Sequence, residues 1–219
     1  PSSHKYYTDE IAASTSNHSI ECDVAHSTLD MSNSQNPLKV LLFSGKRKCG
    51  KDYVTDRLLE RLNLEDVALI RISGPIKSHW GKEKGLDFDL LMGSSEYKER
   101  YRRELVTWSE NVRNSDYGYF CRAALDMYDA YSKKFWVVSD VRRKTDIRWF
   151  SENFPGKIRT IRLVCDDQIR VERGWKFTEG IDDKETECDL DDFDSWDFKI
   201  INNDQDLTEI LNVLTAELS

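Results

Sequence analysis

The chain has 219 residues, 39% hydrophobic and 33% charged, with a formal net charge of -8. That length suits one α/β domain with its own core. No apolar run approaches the roughly 20 residues that span a bilayer, and charge that is balanced or acidic works against a nucleic-acid partner. Five scattered cysteines, Cys22, Cys49, Cys121, Cys165 and Cys188, make neither a disulfide framework nor a CxxC zinc pair, so a reduced, cytoplasmic setting is expected.

Residues 1–36 are rich in Ser, Thr, Asn and Ala, contain no arginine and carry no apolar period. They read as a disordered tail without a targeting signal. His4, His18 and His26 lie in it, too widely spaced for a metal site, and the domain proper, 37–219, keeps His79 alone. Histidine-based catalysis is therefore not expected.

From Leu38 short apolar runs alternate with helical stretches, the pattern of βαβ units around a parallel sheet. Strands are expected at 38–44, 67–72, 135–139, 158–165 and 197–202, with a closing helix over 205–218. The fold class expected is α/β, three-layered, with a mostly parallel five-stranded sheet and helices on both faces.

The segment Gly45-Lys46-Arg47-Lys48-Cys49-Gly50-Lys51 fits G-x-x-x-x-G-K between the first strand and a helix carrying Val54, Leu58 and Leu62. In such a loop the glycines turn backbone N–H groups inward onto a phosphate, the helix N-terminus adds its dipole, and Lys51 reaches the β- and γ-phosphates. Asp52 stands where Ser or Thr usually binds Mg²⁺. Its carboxylate is either a metal ligand or an acid placed for the helix dipole. Cys49, in a cationic loop at a helix N-terminus, is expected to alkylate fastest of the five cysteines.

Over 95–113, Tyr97, Tyr101, Leu105, Trp108 and Val112 share one helical stripe, with Lys98, Arg102 and Arg113 beside it. Lys98 and Arg102 repel at i, i+4 unless an anion lies between them, so an anion site is a candidate there. In VVSDVRRKTD, Asp140, Arg142 and Arg143 sit at the carboxyl edge of the sheet, where α/β folds bind ligands; Asp140 is a candidate Mg²⁺ organiser and the arginines candidate stabilisers of a transferring phosphoryl group. Residues 168–195, with Arg170, Arg173 and Lys176, suit a lid. The acids from Asp182 to Asp197 lack the glycine of a calcium loop and are read as solvated.

The stretches LLFSGKRKCGKD, RISGPIK, VVSDVRRKTDIRWF, RGWKFTEGIDDKETECDLDDF and IINN closely resemble the animal phosphomevalonate kinases, from about Leu38 to the C-terminus. The resemblance implies a nucleoside-monophosphate-kinase-like fold and transfer of phosphate from ATP, with Mg²⁺, to (R)-5-phosphomevalonate in isoprenoid and sterol synthesis. It implies that Lys46 to Asp52 and Asn202 hold ATP, that Arg142 and Arg143 hold the transferring phosphate, and that Arg173 contacts substrate; Asn203, where a relative has His, is a further substrate candidate. Lys51, Arg142, Arg143 and Lys48 are the expected catalytic charges, and Arg102, Arg113 and Arg173 candidate anchors for the acceptor. A monomer with no nucleic-acid or membrane partner is expected. A nucleoside monophosphate kinase and a non-catalytic P-loop regulator are the rival readings.

Overall fold

The computed structural model describes residues 36–87, 89, 91 and 96–218, with backbone alone for 96–99. The expected tail lies outside the described residues up to 35, and the side chain of Lys98 lies outside them too.

Five parallel strands form one sheet in the order β2-β3-β1-β4-β5: β1 Lys39–Ser44, β2 Val67–Ile70, β3 Phe135–Val141, β4 Ile158–Val164 and β5 Phe198–Ile201. Parallel neighbours require crossovers, which are filled by helices. These are α1 Lys51–Leu59, α2 Ser73–Lys84, α3 Glu96–Ser115, α4 Tyr119–Met127, α5 Lys144–Asn153, α6 Asp167–Glu172 and α7 Glu185–Cys188, with α8 Thr208–Glu217 closing the chain.

The central strand shows why both faces are covered. Val40 and Leu42 face a core with Phe120, Leu125, Trp136 and Phe150, whereas Leu41 and Phe43 face a second core with Val54, Leu58, Leu211 and Leu214. All four strand residues are fully buried, as a two-sided parallel strand demands. On α3 part of the expected apolar stripe packs inward: Tyr101 meets Trp80 edge-on at 5.7 Å, and Trp108 and Val112 pack on the first core, while the side chain of Tyr97 lies outside the described residues.

One irregularity positions the site. Leu42 pairs with Val138 and Ser44 with Val141, so β3 carries an extra residue beside β1 around Ser139 and Asp140. Such a bulge re-aims side chains at a strand end. Asp140 turns its carboxylate onto the β2–α2 turn, accepting from the N–H groups of Ile72 at 2.7 Å and Ser73 at 3.0 Å.

The expected lid is packed in part. Leu190 is 2% exposed within the first core, and Phe193 meets Trp196 at 4.8 Å. The reading of Asp182 to Asp197 as solvated acids holds for exposed Asp183, Glu185, Asp191, Asp192, Asp194 and Asp197, and is corrected for Asp182 and Glu187, which are buried. The physical reason is charge, since Asp182 lies against Arg47 of the phosphate loop and Glu187 against Arg142 of the turn after β3.

Candidate active site

β1 delivers the chain into the phosphate loop at its carboxyl end, and α1 receives it. The two motif glycines are steric necessities. A Cβ on Gly45 would sit 2.6 Å from Cys49 Sγ, and one on Gly50, whose φ is +88°, would sit 2.3 Å from Asn202 Nδ2. Asn202, 3% exposed, donates to the Cys49 carbonyl at 2.9 Å and so braces the loop from the end of β5.

Lys51 folds back so that Nζ donates to the Gly45 carbonyl at 2.5 Å. Burial lowers the pKa of its ammonium, and Arg142 adds to that, while Cys49, Glu187 and Asp52 act in the opposite direction. Lys48 takes a left-handed φ of 62° and is exposed on the rim. Cys49 contradicts the sequence expectation: it is 1% exposed, with its thiol in the second core, so the loop offers its backbone and not its sulfur. A native-state maleimide pulse read by mass spectrometry should label Cys49 more slowly than Cys165 or Cys188, both partly exposed; faster labelling of Cys49 would show the loop open.

Two cavities flank the loop. The first, about 310 Å³, lies on the β4 side and is lined by Lys46, Arg162, Cys165, Arg170, Trp175 and Phe177, among others. Arg170 stacks over Trp175 at 3.9 Å and its Nε donates to the Arg47 carbonyl at 2.9 Å. The second, about 250 Å³, lies on the β3 side. Five cations line it, Lys51, Arg71, Lys77, Arg102 and Arg142, together with Asp52, Asp140, Glu187 and the aliphatic Ile76, Leu105, Val106 and Ile181.

The expected site residues divide between these places. Arg102 and Arg142 line the second cavity. Arg113 does not: its guanidinium pairs with fully buried Asp146 at 2.5 Å and lies over Phe120. Asp146 also accepts from the N–H groups of Arg142 at 3.3 Å and Arg143 at 3.1 Å, so Arg113 supports the turn that aims both arginines. Arg143 is not a lining residue either. It binds Glu110 at 2.5 Å and Glu185 at 2.6 Å, and one of its guanidinium nitrogens and one Glu110 oxygen are buried without a partner.

Arg173 and Asn203 stand on the β5 side, away from the second cavity. Arg173 donates to the carbonyls of Cys49 at 3.4 Å and Asn202 at 3.0 Å and pairs with Asp204, and Asn203 accepts from Asp166 N–H at 2.9 Å. Arg173 caps the C-terminal end of α6 and Asn203 follows β5, whereas Arg71, Lys77, Arg102 and Arg142 line the second cavity.

Among the described residues, no group of three or more His, Cys, Asp or Glu could by itself hold a metal ion. Mg²⁺ needs less than that, since it keeps waters and phosphate oxygens and takes one or two carboxylates. Asp52, exposed in the first turn of α1 on the cavity wall, fits this role. Asp140 has both oxygens engaged by backbone donors and serves the β2–α2 turn.

Four residues of the site escaped sequence reading: Arg71, Lys77, Arg162 and Glu187. Arg71 and Lys77 lie in RISGPIK, where a cation just after a buried strand was the available signal. Arg162 donates to Ser44 at 3.0 Å and to Asp191 at 2.9 Å from inside β4, a partnership no local pattern reveals.

A phosphate loop at the carboxyl edge of a parallel sheet, with cationic cavities on both sides, defines a P-loop phosphotransferase. The phosphomevalonate kinase family model matches residues 43–156. A curated phosphomevalonate kinase of Drosophila melanogaster is 47% identical over 186 residues, covering 83% of this chain and 97% of that protein. The chain belongs to the phosphomevalonate kinase family. The fold is also shared with TT1252 from Thermus thermophilus, at TM-score 0.52 and 13% identity over 84% of this chain and 99% of that one. A gluconokinase from Sinorhizobium meliloti superposes at TM-score 0.46 and 14% identity, over 84% and 92% of the two chains.

Proposed function

We propose that residues 37–219 form a kinase domain, with the lid at 168–195, that transfers the γ-phosphoryl group of ATP to (R)-5-phosphomevalonate, giving ADP and (R)-5-diphosphomevalonate in the cytoplasmic route to isoprenoids and sterols. The observation that carries the reading is the second cavity. Five cations, Lys51 among them, converge on it, and among the described residues none of its lining side chains is aromatic. A nucleotide acceptor presents a flat base that needs stacking partners; phosphomevalonate presents a phosphate at one end and a carboxylate at the other.

The acceptor oxygen is already ionised near neutral pH, so no general base is needed to attack the γ-phosphorus while the bond to the β-phosphate oxygen breaks. The chain's task is positioning and charge neutralisation. Lys51 and the loop amides hold the donor phosphates; Arg142, at the wall between loop and second cavity, faces the group in flight. Mg²⁺, which Asp52 would help to hold, supplies further neutralisation of the β- and γ-phosphates. The unpartnered guanidinium nitrogen of Arg143 is a donor that a phosphate oxygen could satisfy once the lid shifts.

The test is an ADP-release assay with Mg·ATP and (R)-5-phosphomevalonate, AMP, CMP, UMP, GMP and dTMP as acceptors. We expect kcat/KM for phosphomevalonate to exceed every nucleotide by several orders of magnitude, because a base would leave desolvated cations unmatched. Efficient use of a nucleoside monophosphate with phosphomevalonate inert would transfer the assignment to that class, and nucleotide binding without any turnover would leave a regulator.

A further inference from the structure

Glu187, on the short helix α7, reaches out of the lid into the phosphate loop. One of its carboxylate oxygens accepts the backbone N–H of Arg47 at 3.2 Å, and the other pairs with the Arg142 guanidinium, which also donates to the Thr186 carbonyl at 3.3 Å. Its side chain is 4% exposed. A carboxylate so desolvated is tolerated only with strong partners. Those partners are a loop amide and the arginine facing the transfer, the donors a phosphate requires.

Two neighbouring acids repeat the arrangement. Asp182 accepts from the Arg47 guanidinium at 3.1 Å, and Asp191 pairs with Lys46 at 2.7 Å. Lys51, turned onto the Gly45 carbonyl, is also drawn by the negative charge of Glu187. The segment around Glu187 is separately anchored, by buried Leu190 and by Asp189, which accepts the Lys144 N–H at 2.8 Å. The Glu187 side chain can therefore swing away while α7 stays docked.

We propose that Glu187 is an intrinsic anion in the phosphate loop, a positioning residue that holds Arg142 and the Arg47 amide in place and is displaced when a phosphate group arrives. This goes beyond the acceptor assignment above: it concerns the donor loop and holds for any phosphotransfer substrate. It predicts that removing the carboxylate tightens anion binding, whereas a merely structural side chain would loosen it when removed.

The experiment titrates the full chain with inorganic pyrophosphate by calorimetry. Glu187→Gln, which keeps the shape and loses the charge, should bind pyrophosphate about tenfold more tightly, equivalent to about 1.4 kcal/mol. Glu187→Asp, which retracts the carboxylate, should shift the same way. Asp192→Asn removes an equal charge from an exposed pair with Lys144 and should change nothing. Should both Glu187 variants fail to fold, carbodiimide footprinting of the parent chain reads the same point, since pyrophosphate should raise labelling of Glu187. Unchanged or weaker pyrophosphate binding in folded variants, or unchanged or reduced footprinting, overturns the proposal. Pyrophosphate carries no mevalonyl group, so an error about the acceptor would leave this result intact.

Discussion

Lys51→Met should lower kcat by about a thousandfold while the protein stays folded. The expected loss is that of a preorganised charge acting on the β- and γ-phosphates in the transition state. Stability should respond in the opposite sense from that of an ordinary salt-bridge lysine. In the folded chain burial disfavours the Lys51 ammonium and lowers its pKa from the ordinary 10.5, so the charged form opposes folding at neutral pH. That penalty is present below the folded pKa and is relieved as pH rises through it toward 10.5. Methionine removes it at every pH. Thermal denaturation should therefore show the variant equal to or above the parent near pH 7, with the parent gaining relative to the variant toward pH 10. Near-normal turnover would remove Lys51 from catalysis; a variant markedly less stable at pH 7 would make its bond to the Gly45 carbonyl a structural one.

Much of this arrangement could be read from sequence because it is local. The phosphate loop is fixed by residues 45–51 between a strand and an amphipathic helix, and strand β1 by an unbroken apolar run that packs on both faces. What could not be read depends on partners distant along the chain. Arg113 shares a helix with Arg102, yet Arg113 meets Asp146 across 33 residues while Arg102 lines the second cavity. Cys49 has the local signature of a reactive thiol, but the same tight turn that brings the loop amides inward buries its sulfur in a core. The acids after Asp182 look like solvent-facing charge until the fold sets them 135 to 145 residues back along the chain, on Arg47, Lys46 and the loop amide. Charge complementarity at that separation leaves no periodic trace in the sequence.

The paired arginines after β3 are where sequence and structure part most sharply, and their variants should behave differently. Arg142→Ala should cut kcat by about a thousandfold or more with a smaller change in KM, as for an arginine that neutralises a phosphoryl group in transfer. Arg143→Ala should act first on stability. It strands Glu110, which lies on α3 with one oxygen already unpartnered, and it unties Glu185 on α7. Leaving such a group unpaired costs about 1–3 kcal/mol. Burial already raises the pKa of Glu110, against the opposing pull of Arg143 and Arg113; without Arg143 it should rise further above its unfolded value. A group whose folded pKa is raised favours folding at low pH, so the instability of Arg143→Ala should be full at neutral pH and shrink as pH falls through that folded pKa. Urea denaturation near pH 7 and near pH 5, beside steady-state kinetics, separates the two residues. Equal large losses of kcat in both variants with stability untouched would place both guanidiniums on the transferring phosphate, and small effects in both would make them surface charges.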